Sequence, residues 1–309
     1  MNLSEQLIFT PHNQLAELAR AGLPVHLFVN PVEYHGPHLS LGNDRILSER
    51  IALKLHQRLM AAQGEFPFVV GGHVDMGCDP CPGQGSVGVT YAQLKTALRQ
   101  RVDALVELGV RKVVFHTFHG SPFHQHALDW AVARLQRKGV RAVNVFPATI
   151  DLIVNFDRAL YEPLRDLLPT AADFERVLAI LPEDHHAGFF ETSVALYVAP
   201  ETVAADFRSV PPCPPLPTSR ALLALARTLK SRELENAAYS MAWMLLRPFP
   251  GYTGIPALAS PEVGRFYVEE LILPRYEQRC REVLWGNRAP SRAGFAWTRP
   301  LAPFVGGRI

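Results

Sequence analysis

Short apolar runs alternate with amphipathic segments along the first half of the chain, and this alternation constrains the fold most strongly. The runs are rich in β-branched and aromatic residues, as buried strands are, and lie at 23–29, 66–70, 111–120 and 140–148. The segments between them have apolar residues near helical spacing and lie at 46–62, 90–109 and 125–139. Strands that alternate with helices predict an α/β protein: a three-layer α/β/α fold with a mostly parallel central sheet.

The second half of the chain is predicted to be mostly helical. A helix should start near Glu191, the Pro-rich stretch at 210–219 should be an extended strap, and Pro274 should interrupt a late helix at 263–285. We expect one domain over residues 1–286, followed by a C-terminal tail, 287–309, that shows no periodicity. The tail is predicted to pack on a neighbour or to stay loose.

Charge and composition exclude several classes of protein. Lys and Arg number 31 against 29 Asp and Glu, and a net charge of +2 lacks the basic bias that nucleic-acid binding needs. No run of about 18 apolar residues is present for a membrane span, and the first ten residues do not resemble a secretion signal. We therefore expect a cytoplasmic protein with no nucleic-acid or membrane partner.

Carboxylates and histidines follow two of the predicted strands. Glu33 and His35 are two residues apart after the first strand, Asp44 stands at a helix start, and His119 follows the third strand. The carboxyl ends of parallel strands meet at one sheet edge, so these side chains can converge there. Mixed oxygen and nitrogen ligands suit Zn²⁺, Mn²⁺ or Fe²⁺. The spacing alone is also compatible with surface and helix-capping residues.

Four longer motifs extend this pattern. The segment EYHGPHLSLGND at 33–44 resembles the E-x-H-G-P-H-L-P-L-G-x-D motif of the creatininase family. The segments HTFHGSP at 116–122, HHAGFFETS at 185–193 and GYTGIPALASPEVG at 251–264 resemble further family motifs in the same order. The resemblance covers about residues 14–285 and implies a metal-dependent amidohydrolase that cleaves a C–N bond of a small molecule, and a homo-oligomer, specifically a hexamer.

Carried over to this chain, the resemblance implies two divalent metal ions, Zn, Mn or Fe. Asp44 would bridge the ions, and His186 would move a proton between the attacking water and the leaving nitrogen. Creatininase takes an acidic ligand two residues after the turn histidine, where this chain has Ser121, so Glu191 is expected to act as the fifth ligand and as a catalytic residue. The implied metal ligands are Glu33, His35, Asp44, His119 and Glu191.

Departures from the family pattern bear on the substrate. The residues predicted to line the substrate pocket are Phe118, Ser121, Phe189 and Ser86. The phenylalanines indicate an apolar pocket, and no Trp occurs between 131 and 242, which argues against creatinine as the substrate. A deformylase, a peptidase or a ring hydrolase on the same metal site remains an alternative, as does a catalytically silent binding protein.

Cys78 and Cys81 form the sequence C-D-P-C. A redox pair or half of a zinc knuckle would use two such thiols, but a second pair at metal spacing is absent from the sequence. With Pro80 between them, we interpret the segment as a loop that carries two thiols.

Overall fold

A parallel sheet forms the centre of the protein. The computed structural model describes residues 5–7, 10–290, 292 and 294–307. Its strands are β1 (Glu5–Gln6), β2 (Pro24–Val29), β3 (Val69–Val74), β4 (Lys112–His116) and β5 (Arg141–Asn144), in the spatial order β1-β3-β2-β4-β5. Every described strand pair is parallel. The predicted α/β class with a parallel sheet is confirmed.

Helices make up most of the remaining chain. The first seven are α1 (His12–Arg20), α2 (Asn43–Gln63), α3 (Tyr91–Glu107), α4 (Pro122–Arg137), α5 (Pro147–Val154), α6 (Arg158–Tyr161) and α7 (Ala171–Ile180). The helices that follow are α8 (Phe189–Val198), α9 (Arg220–Thr228), α10 (Arg232–Met244), α11 (Pro261–Arg265), α12 (Leu273–Cys280) and α13 (Ala302–Val305). Within the described residues, no helix is long and apolar enough to cross a membrane.

The two faces of the sheet contribute to two hydrophobic clusters. In β4, Val113 and Phe115 face one cluster while Val114 faces the other, as the two-residue period of a strand requires. Leu94 and Leu98 of α3 cover the first face, whereas α2 covers the second with its own apolar residues. Helices on both faces give the three layers that the sequence predicts.

The strand predicted at 66–70 was placed too early. The observed β3 runs from Val69 to Val74 and includes Gly71 and Gly72, which lie beyond the predicted end of the strand. The register against β2 shifts at Gly71, where a Cβ atom would lie 2.6 Å from the side chain of Val25. Glycine in a strand is typical of such a bulge, and here its missing side chain lets the two strands approach.

Pro274 does not interrupt the late helix. The chain stays helical from Pro261 to Trp285, with π-helical segments at Phe266–Ile272 and Arg281–Trp285. Pro274 is the second residue of α12, directly after the first π-helical segment. A proline lacks a backbone N–H, and the wider π-helical turn before it accommodates the change in hydrogen bonding.

The C-terminal tail packs on its own chain. Ala302 is buried in the cluster that α3 covers, and a hydrogen bond of 2.7 Å joins Thr298 Oγ1 to His126 Nε2 of α4. Arg299 also forms an ion pair with Asp129 at 2.9 Å. Residues 291, 293 and 308–309 of the predicted tail lie outside the described residues, and the boundary at 286 stays a prediction.

Two histidines lie inside the sheet layer. His26 Nδ1 of β2 is 2.8 Å from His116 Nε2 of β4, and both residues are at most 2% exposed. Burial lowers the pKa of His116 to about 3, and burial together with His116 and His56 lowers that of His26 well below its ordinary value. Both rings are therefore neutral in the folded protein at pH 7.

This pair predicts that the fold is sensitive to acid. The unfolded chain takes up these protons near pH 6.5, so the stability is complete above that pH and is lost as the pH falls toward about 3. Each histidine contributes up to about 1.4 kcal/mol per pH unit. In urea unfolding between pH 7.5 and 5 with EDTA, His116→Phe should lose stability less steeply than the wild type by that amount. Equal slopes would contradict the prediction.

Candidate active site

Loops after three neighbouring strands meet at one edge of the sheet. Glu33 and His35 follow β2, the loop at 75–90 follows β3, and His119 follows β4. Asp44 enters from the first turn of α2, and Glu191 from the first turn of α8. Gly36, with φ +68, makes the turn after His35 in a conformation that favours glycine. The topology therefore brings together the side chains that the motifs singled out.

The first group of side chains consists of Glu33, Asp44 and His119. The Nδ1 atom of His119 is 2.8 Å from Glu33 Oε2 and 3.6 Å from Asp44 Oδ2. All three residues are at most 6% exposed. Their ligand atoms lie within 4.8 Å of one another, which is close enough to hold one metal ion.

The second group consists of His35, Asp44 and Glu191. The Nε2 atom of His35 is 3.2 Å from Asp44 Oδ1 and 3.8 Å from Glu191 Oε2. Asp44 thus belongs to both groups, and each of its oxygens faces a different histidine. The described residues also form a third group of ligand atoms within the same distance, Glu33, His35 and His186.

Backbone carbonyl groups fix the orientation of each histidine. His35 Nδ1 lies 3.0 Å from the carbonyl oxygen of Glu33, and His119 Nε2 lies 2.8 Å from that of Cys78. These nitrogens donate, so the other nitrogen of each neutral ring carries a lone pair that points into the cluster. A histidine that binds a metal through one ring nitrogen usually donates a hydrogen bond from the other, as His35 and His119 do here.

The nitrogen and oxygen atoms that face one another in these groups are suited to bind a cation. When His119 is neutral, its Nδ1 lone pair faces Glu33 Oε2 at 2.8 Å, and two acceptors at that distance repel each other. Glu33 Oε2, His35 Nε2 and Asp44 Oδ2 are buried with no hydrogen-bond partner among the described residues. A proton or a metal ion between such atoms removes the repulsion. The donor set and its orphaned atoms therefore support a divalent metal.

The pKa values of the histidines and carboxyl groups also indicate that the site favours bound positive charge. Although burial opposes protonation, Asp44 raises the pKa of His35 to about 10, and Glu33 raises that of His119 to about 9. Burial raises the pKa of Glu191 to about 8 and also raises that of Asp44. The buried carboxylates thus attract positive charge to the site, where metal ions compete with protons.

His186 lies beside both groups. Its Nε2 donates to the carbonyl oxygen of Tyr34 at 2.9 Å, and its Nδ1 is 3.9 Å from Glu33 Oε1. Its ring centroid is 4.3 Å from that of His35. Burial lowers the pKa of His186 to about 3, so its ring is neutral at pH 7.

The predicted pocket residues occupy different environments. Phe118 and Phe189 are buried in the hydrophobic core, where Phe118 stacks on Phe190 and lies tilted against Phe146. Ser121 caps α4 and donates to Asp79 Oδ2, and Ser86 Oγ donates to the carbonyl oxygen of Cys81 at 2.7 Å. The role of these four residues in a substrate pocket stays a prediction.

The sequence pattern did not single out several residues at the site. Trp243 of α10 packs against His186 with a centroid distance of 5.2 Å, and its indole N–H donates to the carbonyl oxygen of Tyr252. The Cys81 backbone N–H donates to Glu33 Oε1. Nothing in the sequence near Trp243 indicated that α10 folds back over His186.

The carboxylate and imidazole side chains gather beyond the carboxyl ends of parallel strands, which is where α/β proteins of this type bind their ligands. The family model for creatininase, described as creatinine amidohydrolase, matches residues 12–273. The chain therefore belongs to the creatininase family, as its motifs predicted, and this membership supports an amidohydrolase. No curated protein sequence matches the chain significantly.

Solved structures confirm the fold. A structure described as creatininase Mn has a TM-score of 0.60 and 19% identity, with 91% of this chain and 98% of that chain covered. A mutant creatininase described as Zn-Zn type has a TM-score of 0.60, 18% identity and the same coverage. A putative creatinine amidohydrolase from Bacteroides fragilis has a TM-score of 0.62 and 19% identity, covering 94% and 100%.

The cluster predicts that metal binding stabilises the fold through Asp44. At a free Mn²⁺ concentration about 100 times Kd, the wild type should gain about 2.7 kcal/mol in its free energy of unfolding. Asp44→Asn should lose most of this gain, because the amide offers only one weak oxygen ligand. Urea unfolding with and without Mn²⁺ measures both values.

Asp184→Asn is the matched control, because Asp184 is also buried but lies outside the three groups. It should keep the wild-type gain whatever its own stability. An Asp44→Asn protein that Mn²⁺ stabilises as strongly as the wild type would contradict the assignment.

Proposed function

We propose that this protein hydrolyses a non-peptide or cyclic amide C–N bond of a small molecule at a centre of two divalent metal ions. The position of Asp44 carries the proposal. Its Oδ1 faces His35 at 3.2 Å and its Oδ2 faces His119 at 3.6 Å, so its two oxygens serve two different groups. A carboxylate shared in this way is suited to bridge two ions.

The orientation of His35 supports the division of ligands. Its Nδ1 donates to the Glu33 carbonyl oxygen, which leaves one lone pair, on Nε2, for one ion. With Asp44 and Glu191 it would hold the second ion, while Glu33 and His119 hold the first with Asp44. His186 then stays outside both sets and is free to move a proton.

The chemistry of these ligands narrows the metal. Carboxylates and imidazoles suit Zn²⁺, Mn²⁺ or Fe²⁺. Two solved relatives are described as Mn and Zn-Zn types, which supports the same range here. When bound, two such ions lower the pKa of a water molecule and polarise the carbonyl group of the substrate.

His186 is the proposed proton carrier. Its neutral ring presents the Nδ1 lone pair to the cluster, while Tyr34 holds Nε2–H and Trp243 packs against the ring. Nδ1 can accept a proton from the attacking water and return it to the leaving nitrogen as the C–N bond breaks. Glu191 accepts a hydrogen bond from the Ala187 backbone N–H. As a ligand of the second ion, it would add negative charge beside the reacting groups.

The proposed substrate is small. The residues of the three groups are at most 8% exposed, so little of the cluster is open to solvent. Trp243 supplies an aromatic surface beside His186 and restricts the space further. Ser121 occupies the place of an acidic residue in creatininase, which is a further reason to screen amides other than creatinine.

Loss of Glu191 should convert a two-metal protein into a one-metal protein. Elemental analysis of protein purified without chelators should give two ions per chain for the wild type and about one for Glu191→Ala. Amide hydrolysis should fall at least about a hundredfold, since changes in mere supporting residues already cost 10- to 100-fold. The exposed Glu201→Ala variant is the control and should match the wild type.

Two ions in Glu191→Ala would remove Glu191 from the site. A wild type that contains no metal ion would contradict the proposed function.

Self-association is a further part of the proposal. Leu225, Leu229, Met241 and Leu245 on or next to α9 and α10 are 52–67% exposed, although these two helices pack together. Large apolar side chains that cluster at a surface are typical of protein interfaces. A second copy of this chain, in a hexamer, is the proposed partner.

The double variant Leu229→Glu with Leu245→Glu should dissociate this assembly, because it buries charges at the apolar contact. Size-exclusion chromatography with light scattering should give six times 34.3 kDa for the wild type and a lower mass for the variant. Leu53→Glu, a charge at another exposed leucine, is the control and should leave the mass unchanged. A wild type of 34.3 kDa would contradict the proposal.

A further inference from the structure

The C-D-P-C segment contacts two of the proposed metal ligands. The Cys78 carbonyl oxygen accepts the hydrogen bond from His119 Nε2 at 2.8 Å, and the Cys81 backbone N–H donates to Glu33 Oε1. Both ligands belong to the first group, together with Asp44. The backbone of residues 78–81 therefore sets the direction of two ligand side chains at one metal position.

The thiols themselves take no part in these contacts. Cys78 and Cys81 are free and at most 4% exposed, and burial raises the pKa of both, that of Cys78 to about 12. Protonated, buried thiols are poor metal ligands and poor redox groups. The contribution of this segment to the site is the placement of its backbone.

Asp79, between the cysteines, connects this backbone to two other parts of the chain. Its Oδ2 accepts from Ser121 Oγ at 3.1 Å, and its Oδ1 accepts from the Gly307 backbone N–H. Ser121 is two residues after His119 and caps α4. Asp79 has φ +53, a conformation that Asp tolerates better than most residues.

The C-terminal segment 294–307 is anchored directly before this contact. The Gly306 carbonyl oxygen accepts from the Tyr91 N–H at 3.0 Å, and Ala302 is buried in the core. Gly307 has φ +76, and a Cβ atom there would lie 1.9 Å from the Val89 carbonyl oxygen. The position of Gly307 beside Asp79 therefore depends on glycine.

We propose that the C-terminal segment is a latch that acts through Asp79 to hold residues 78–81 against Glu33 and His119. Asp79 is then a positioning residue for the first metal ion, although it is not a ligand. This inference rests on the proposed two-metal site. It predicts that loosening the latch weakens the binding of the first ion and leaves that of the second unchanged, because His35 is held by the Glu33 carbonyl oxygen and Glu191 by the Ala187 backbone N–H, not by residues 78–81.

Calorimetric titration of the full-length, metal-free protein with Co²⁺ tests the latch. Asp79→Gly removes the carboxylate and keeps the backbone conformation, and Gly307→Val displaces the C-terminal segment. Both variants should bind one Co²⁺ with unchanged affinity and the other about 10- to 100-fold more weakly, as expected for the loss of a group that orients ligands. Asp79→Asn, which keeps one acceptor oxygen, should restore part of the affinity.

Two controls match these variants. Gly139→Val has the same backbone demand as Gly307→Val, with φ +77, but no atom lies within 4 Å of its Cβ position. Asp75→Gly removes a neighbouring carboxylate that is bonded to Arg45 instead. Both should bind two ions as the wild type does. Any loss of affinity in these controls measures the effect of such a substitution away from the Asp79–Gly307 contact.

Hydrogen exchange of the metal-free proteins gives a second readout. The peptide that contains residues 78–91 should exchange faster in Asp79→Gly and Gly307→Val than in the controls. Wild-type affinities for both ions in these two variants, or equal weakening of both ions, would overturn the latch. A wild type that binds no Co²⁺ would instead overturn the proposed function, so the two failures are distinguishable.

Discussion

The burial of three carboxylates at one point is the constraint on which the site depends. Glu33, Asp44 and Glu191 are each at most 6% exposed. Buried carboxylates that lie close together repel one another unless positive charge compensates them. The protein meets this cost with His35 and His119, whose orientation is fixed by backbone carbonyl groups. Metal ions can take the place of the protons that these histidines otherwise hold.

The fold supplies the geometry for this compensation. Parallel strands deliver Glu33, His35 and His119 to one edge, and two helices add Asp44 and Glu191 from their first turns. A carboxylate near a helix N-terminus is favoured by the helix dipole, which offsets part of its burial. The same edge collects ligands in other parallel α/β proteins.

Much of this arrangement could be predicted from the sequence, because alternating apolar runs and helical patterns report the layers directly. The motifs at 33–44 and 185–193 also singled out side chains that the fold brings together, namely Glu33, His35, Asp44, His186 and Glu191. The sequence could not show the contacts made by backbone atoms, such as the Cys78 carbonyl group and the Cys81 N–H. Neither could it show that Trp243 packs on His186, since this depends on how α10 folds back.

Two local errors have the same physical origin. The predicted strand ends before Gly71, yet β3 continues through a bulge at this glycine, which lets β2 and β3 approach each other. Pro274 indicated a helix break, yet a π-helical turn before it keeps the chain helical. In both cases packing against the rest of the domain overrides a local preference.

Electron paramagnetic resonance of the protein loaded with Mn²⁺ tests the central claim most directly. Two ions bridged by Asp44 would lie about 3.5–4 Å apart, so their spins should couple and give a broad multiline spectrum. That signal should be absent from Asp44→Asn. A six-line spectrum of isolated Mn²⁺ at full loading of the wild type would contradict a bridged two-metal centre.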